Sequence, residues 1–151
     1  MPWDDSGNAW LKGTDPTISV VDPDGTPNNI LQKDLANSCT VSWSFTGGGS
    51  AFLNPSTFTV DLYAESIGPG PERRLGSVSV SGASPGHNYT VTIPIPPNSL
   101  LADGEGGLGI PVPPGASGVY KLVAVINNAV GGARDKLAGF AEGPIIEIRN
   151  P

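Results

Sequence analysis

The chain has 151 residues, a formal net charge of −6 and a sequence pI of about 4.5. Its eight basic residues form no run, so the basic footprint that nucleic-acid binding requires is missing. No stretch approaches the roughly 20 apolar residues that a membrane span needs, and Cys39, the single cysteine, excludes an intrachain disulfide.

Turn-forming residues and short apolar runs together predict an all-β domain. The chain contains 21 glycines and 16 prolines, and its apolar residues fall in short alternating runs between them. A single domain of this length buries about 68–70% of its unfolded surface, so it needs no disulfide or metal to fold. We therefore expect one domain, and we predict no cofactor.

The first segment, residues 1–16, lacks any strand or helix period, and we interpret it as an extended N-terminal arm before a domain over 17–151. The arm carries Trp3 and Trp10, which would pack either on their own domain or into a neighbouring subunit. Its first residues form neither a basic region nor an apolar region of a signal peptide, so we expect cytoplasmic synthesis.

Seven strands follow in the predicted pattern, each with apolar and polar residues in alternation. The second one carries Trp43 on its apolar side, where we expect it to anchor the core. The fourth is a weak strand rich in Gly and Ser, which is typical of a sheet edge. The predicted strands are 17–21, 39–46, 57–65, 74–81, 89–95, 119–127 and 144–149.

The strand over 119–127 is the longest apolar run in the chain, and its outward face is partly apolar as well. If Tyr120 points into the core, then Val119, Lys121, Val123 and Val125 point out, with Tyr63 and Ile145 on neighbouring strands. A strand that is apolar on both faces requires a cover on both. The predicted cover is the tryptophan-bearing arm, the long Pro/Gly loop over 96–117, or another subunit.

The sequence around this strand resembles a known family. Gly118, Tyr120, Leu122 and Ala124 follow the G-x-Y-x-Φ-x-A pattern of the penultimate strand in immunoglobulin-like and fibronectin type III-like domains. The resemblance implies a seven-stranded antiparallel β-sandwich in which the tyrosine hydroxyl bonds back to upstream backbone. It also implies that the first, second and fifth strands form one sheet, with 74–81 as a candidate member, and that the third, sixth and seventh form the other.

No group of residues carries identifiable chemistry. Cys39 belongs on the core side of its strand, whereas His87, the only histidine, lies in a turn, so they do not form a nucleophile pair. Asp22 and Asp24 resemble the start of a calcium loop, but the closing glutamate is missing. No metal ligands are therefore predicted, and we expect a protein that is not an enzyme.

Two functions remain open at this level. The first is a structural or assembly subunit that packs against copies of itself or against partner proteins. The second is a carbohydrate-binding module, for which Tyr63, Trp3 or Trp10 would supply the aromatic platform. Loops 47–56, 82–88 and 128–138 are expected at one end of the sandwich. The predicted interaction residues are Trp3, Trp10, Tyr63, Val119, Val123, Val125, Arg134 and Lys136.

Overall fold

The computed structural model describes residues 3–4, 11–70, 72–105, 115–130 and 133–151. Within them, short 3-10 turns at Ser50–Leu53 and Pro85–His87 are the helical segments, and no helix of this part is long and apolar enough to cross a membrane. The strands are β1 (Trp3–Asp4), β2 (Lys12–Gly13), β3 (Thr17–Val21), β4 (Ile30–Gln32), β5 (Asn37–Thr46), β6 (Ser56–Ser66), β7 (Arg73–Ser81), β8 (Asn88–Ile95), β9 (Val119–Val130) and β10 (Ala133–Arg149).

These strands form two sheets, as the sequence predicts for an all-β sandwich. The first, here the β9 sheet, has the order β1-β10-β9-β6-β7, and β4 runs parallel to the end of β10. The second, here the β5 sheet, has β5 at its centre, with β8 on one side and β3 on the other. β2 pairs with the end of β5 ahead of β3.

The structure corrects the predicted strand pattern in three places. The described residues form more than the seven strands expected. The strand at 74–81 pairs with β6, so it extends the β9 sheet instead of pairing with β8. This is the simplest outcome of a six-residue connection, which is short enough for an antiparallel hairpin. Residues 128–138, predicted as a loop, instead continue β9 and begin β10.

The core lies between the two sheets and follows the alternation of their strands. Along β9 the side chains at 120, 122, 124 and 126 are all fully buried, and those between them are half-buried. Trp43 on β5 is 3% exposed and stacks on Tyr89, with ring centroids 5.4 Å apart. The predicted inward and outward faces of the 119–127 strand are therefore confirmed, as is Trp43 in the core.

Tyr120 fixes the chain that leads into β9. Its hydroxyl donates to the carbonyl of Leu101 at 2.9 Å and accepts from the Leu101 amide at 3.0 Å. Leu100 and Ala102, on either side of that residue, are buried. The Lys33 ammonium donates to Glu105 at 2.5 Å, which ties the same segment to the residue after β4. The described part of the 96–117 connection thus closes one end of the core.

Trp3 packs inside its own domain. Its side chain is 4% exposed, and its indole Nε1 donates to the carbonyl of Thr14 at 2.6 Å. Glycines at 13 and 139 make room for it, since a Cβ on either would lie 2.7 Å from an atom of the indole ring. β1 pairs with β10 and β2 with β5, so the described parts of the 1–16 segment add to both sheets. Trp10 lies outside the described residues.

Candidate interaction face

The outward side of the β9 sheet carries the residues that the sequence singles out. Val119, Val123 and Val125 alternate with the buried positions of β9 and are half-buried. The pairing register places Val125 between Asp61 of β6 and Phe140 of β10. A central strand therefore presents valines at the surface, because a sandwich of two sheets has no further layer to cover them.

Neighbouring strands enlarge this apolar area. Val123 lies between Tyr63 and Glu142, and Ile145 lies beside Lys121. Tyr63 is 37% exposed, Phe140 49% and Ile145 57%. We refer to the outward side chains of these three strands as the apolar face, which comprises Tyr63, Val119, Val123, Val125, Phe140 and Ile145.

Ion pairs lie among the apolar side chains of this face and leave it close to neutral. Lys121 Nζ lies 2.9 Å from Glu142 Oε2, and Arg74 Nη2 lies 2.7 Å from Asp61 Oδ1. The hydrogen bond that the Arg74 guanidinium donates to Asp61 raises the pKa of Arg74. With Glu65, three acids and two bases give this area a formal charge of −1, against −6 for the whole chain.

The outward side of the β5 sheet has the opposite character. Thr17 pairs with Ser42, and Ser42 with Thr90, so hydroxyl side chains run across three strands. Ser42 Oγ and Thr90 Oγ1 are 3.1 Å apart and share a hydrogen bond. We refer to this as the hydroxyl face, which comprises Thr17, Ser19, Thr40, Ser42, Thr90 and Thr92.

The expected cover of the apolar face is not found among the described residues. Trp3 lies between the sheets and not over them. The described residues of the 96–117 connection pack at the end of the core, around the Tyr120 hydroxyl. Trp10 and residues 106–114 lie outside the described part. Within that part, the large exposed apolar side chains of β10 remain open to a partner.

Two of the three predicted loops, 47–56 and 82–88, meet at one end of the sandwich with Asn128 of β9, whereas 128–138 is strand and not a loop. Asn128 Nδ2 donates to Ser56 Oγ at 2.8 Å, and the Ser56 hydroxyl donates to the Leu53 carbonyl at 2.6 Å. His87 Nε2 lies 2.9 Å from Asn54 Oδ1. These bonds hold the loop end together and account for the polar residues buried there. Arg134 and Lys136 are on β10, but their side chains lie outside the described residues.

The groups considered for catalysis lie apart. Cys39 is fully buried, and burial raises the pKa of its thiol to about 12. It pairs with Ile93, six residues along the chain from His87, which at strand rise is about 20 Å. In the described part of the chain, no three His, Cys, Asp or Glu side chains lie together as metal ligands would.

Sequence reasoning missed Phe140 as a face residue. The sequence predicts a loop up to residue 138, which leaves the phase of Phe140 relative to β9 undetermined. The available signal is that Leu137, Gly139 and Ala141, which are buried, alternate with Ala138, Phe140 and Glu142. It was obscured by Gly143 and Pro144, which the strand accommodates through a register shift between Glu142 and Ile145.

No protein-family model matches the sequence, and no curated protein matches it. Among solved structures, the chain is similar to a superoxide reductase (neelaredoxin) from Ignicoccus hospitalis, with a TM-score of 0.43, 16% identity, and coverage of 95% of this chain and 89% of that one. It is also similar to a CARDB domain from Pyrococcus furiosus solved in complex with di-metal ions, with a TM-score of 0.43, 16% identity and 97% coverage of both chains. The sporulation control protein Spo0M from Bacillus subtilis matches with a TM-score of 0.35, 8% identity, and coverage of 91% and 51%. Likenesses at these scores assign neither a family nor an activity.

Proposed function

We propose that this protein is a non-catalytic structural subunit, an immunoglobulin-like β-sandwich that associates with copies of itself through the apolar face. The immunoglobulin-like assignment is supported by the order of the strands in the two sheets and by the bond from the Tyr120 hydroxyl to upstream backbone. The observation that carries the assembly role is the apolar cluster around Val123 and Val125, with Phe140 about half exposed. Clusters of this kind mark interaction sites.

A second copy suits this face because the face is nearly neutral. A partner of strong opposite charge would be attracted to the acidic remainder of the chain instead of to the face. Two copies that meet through their apolar faces bury valine, phenylalanine and tyrosine against the same residue types. The intramolecular ion pairs at Asp61 and Glu142 lie beside Val125 and Val123, and they neutralise charges that a second copy would otherwise meet.

The size of the face predicts a weak contact. Three strands at a spacing of about 4.8 Å, and eight residues at about 3.3 Å, give a projected area of about 380 Å². This is below the roughly 800 Å² per partner of a standard interface, and it falls in the range of transient pairs. Self-association through this face alone should therefore be reversible and depend on concentration.

The test is the molar mass of the purified chain by light scattering over a range of concentration. We expect a mass above 15.4 kDa that rises with concentration. Val123→Glu should lower the association constant at least tenfold, because two carboxylates would be brought into an apolar contact. The matched control is Ser42→Glu, which places the same charge on the hydroxyl face and should leave association unchanged.

Two results would contradict the proposal. A chain that remains a monomer at every concentration would exclude self-assembly, and equal effects of the two glutamates would exclude the apolar face as the contact. If the monomer instead bound glycans in an array, and Tyr63→Ala abolished that binding, the carbohydrate-binding alternative would replace the assembly role.

A further inference from the structure

β7 forms one edge of the β9 sheet and lies close to β8, which forms an edge of the β5 sheet. β7 pairs with β6 on one side, and no other strand of the described residues pairs with it. The unpaired backbone groups of an edge strand are a template for pairing with another chain. Natural folds protect such edges with proline, charged residues, bulges or covering segments.

The other edges differ from β7 in other ways. On the β5 sheet, β8 carries Pro94 near its end, which lacks a backbone donor, and its inward side chains Val91 and Ile93 are already buried, although residues 88–93 contain neither proline nor a charged residue. The opposite edge of that sheet is divided between β2 and β3, and Pro16 lies in the interval. On the β9 sheet, β1 and β4 cover parts of β10.

β7 is protected only at its beginning. Arg73 and Arg74 start the strand, and a register shift at Leu75 interrupts its pairing with β6. From Gly76 to Ser81 the pairing is continuous, and this stretch contains neither proline nor a charged residue. Six residues of an unprotected edge are thus available for strand addition.

We propose that Ser77–Ser81 pairs antiparallel with the same stretch of a second copy, and that this contact joins the two β9 sheets edge to edge. The sequence Ser-Val-Ser-Val-Ser over 77–81 is a palindrome centred on Ser79. A two-fold axis at Ser79 places Val78 opposite Val80 of the partner subunit, and Ser77 opposite Ser81 of the partner subunit. Serines then meet serines on the outer side, and valines meet valines on the core side.

The burial of these valines favours the same contact. Val78 and Val80 pack against the core but stay only partly buried, because the sheet ends there. A second β7 would cover them from the open side and would pair the free backbone groups. Because Gly76–Ser81 carries no charged residue, two copies of an acidic chain repel each other little at this stretch.

This inference rests on the proposed function and extends it. The edge contact and the apolar face are different surfaces, and each joins two copies by its own two-fold axis. A subunit that uses both forms chains of copies instead of closed dimers. The assembly is then larger than a dimer although each of its contacts is small.

The experiment compares the wild type with Val123→Glu, Ser79→Lys and the double variant, by light scattering and by hydrogen exchange at low and high concentration. Lysine at the symmetry axis places two like charges opposite each other, which is destabilising in a strand pair. The expected wild-type mass exceeds that of a dimer at high concentration. Each single variant should stop at a dimer, and the double variant at a monomer. The control, Thr40→Lys on the hydroxyl face, should match the wild type.

Hydrogen exchange separates the two contacts, because only strand pairing protects backbone amides at the edge. In Val123→Glu, those amides of Gly76–Ser81 that point away from β6 should become protected as concentration rises, and in the double variant they should not. Absence of that protection, or a wild-type mass unchanged by Ser79→Lys, would overturn the edge contact while leaving the apolar face intact. A monomeric wild type would overturn both.

Discussion

The apolar face and the hydroxyl face lie on opposite sides of one sandwich, yet they are made by strands of the same pattern. β9 and β5 both alternate a buried position with an outward one. The outward positions of β9 include three valines, whereas those of β5 are serine and threonine. This alternation explains why both strands contribute side chains to the same core. The surface chemistry is therefore a separate property of each sheet, and we attribute it to assembly in one sheet and to solvation in the other.

The largest expected effects concern the inner sides of the two sheets, which should contribute equally to the free energy of unfolding. Leu122→Ala on β9 and Ile93→Ala on β8 each remove a fully buried side chain. Each should lower the free energy of unfolding by about 2–5 kcal/mol, from lost burial and from the cavity left behind. Chemical denaturation measures this, with Val123→Ala as the outward control. β9 is described as having one buried side and one outward side. If, in the monomer, Val123→Ala lowered the free energy of unfolding as much as Leu122→Ala, that description would be contradicted.

The next effect concerns the segment that closes the core. Tyr120→Phe removes the hydroxyl that both donates to and accepts from Leu101. We expect a loss of about 1–3 kcal/mol in unfolding free energy, because the Leu101 backbone loses its partner in a partly buried site. Tyr63→Phe is the matched control on the apolar face and should change stability by less than about 0.5 kcal/mol. Equal losses would show that the Tyr120 bond does not stabilise the fold.

Exchanging the character of the two faces should alter association with little change in folding. Val123→Thr with Phe140→Thr makes the β9 sheet polar outside, and we expect at least a tenfold lower association constant. Thr40→Val with Thr90→Val makes the β5 sheet more apolar outside, and we expect new self-association or lower solubility. Light scattering and thermal unfolding report the two properties separately. Unchanged association in both double variants would remove the distinction between the faces.

The smallest expected effect is a pH dependence of the free energy of unfolding. Its source, the Lys33–Glu105 pair, lies on neither face. The hydrogen bond from Lys33 holds the pKa of the Glu105 carboxyl below its usual range. A depressed folded pKa means that this stabilisation is present above the unfolded pKa of about 4.3 and is lost as pH falls through the folded value. Since both side chains are partly exposed, we expect less than about 1 kcal/mol. Glu105→Gln should be less stable than the wild type at pH 7, and the difference should vanish near pH 2.

Local pattern was sufficient to predict most strands and both sides of β9. The alternation of Cys39–Thr46 and of Val119–Asn127 reports burial directly, because successive side chains in a strand point to opposite faces. The sheet to which β7 belongs was not predictable, since its weak Gly/Ser pattern is compatible with pairing on either sheet. The outward position of Phe140 was not predictable for a similar reason. Gly143 and Pro144, which lie between Phe140 and Ile146, break the alternation of inward and outward residues. The burial of Trp3 depends on Gly13 and Gly139, which are distant in sequence and meet only in the fold.

The central claim is that the apolar face joins copies of this chain, and one measurement tests it most directly. Sedimentation equilibrium of the purified wild type, Val123→Glu and Ser42→Glu gives the association constants of all three under the same conditions. We predict that the wild type and Ser42→Glu associate equally and that Val123→Glu associates at least tenfold more weakly. A wild type that sediments as a 15.4 kDa monomer throughout, or a Val123→Glu variant that associates like the wild type, would contradict the claim.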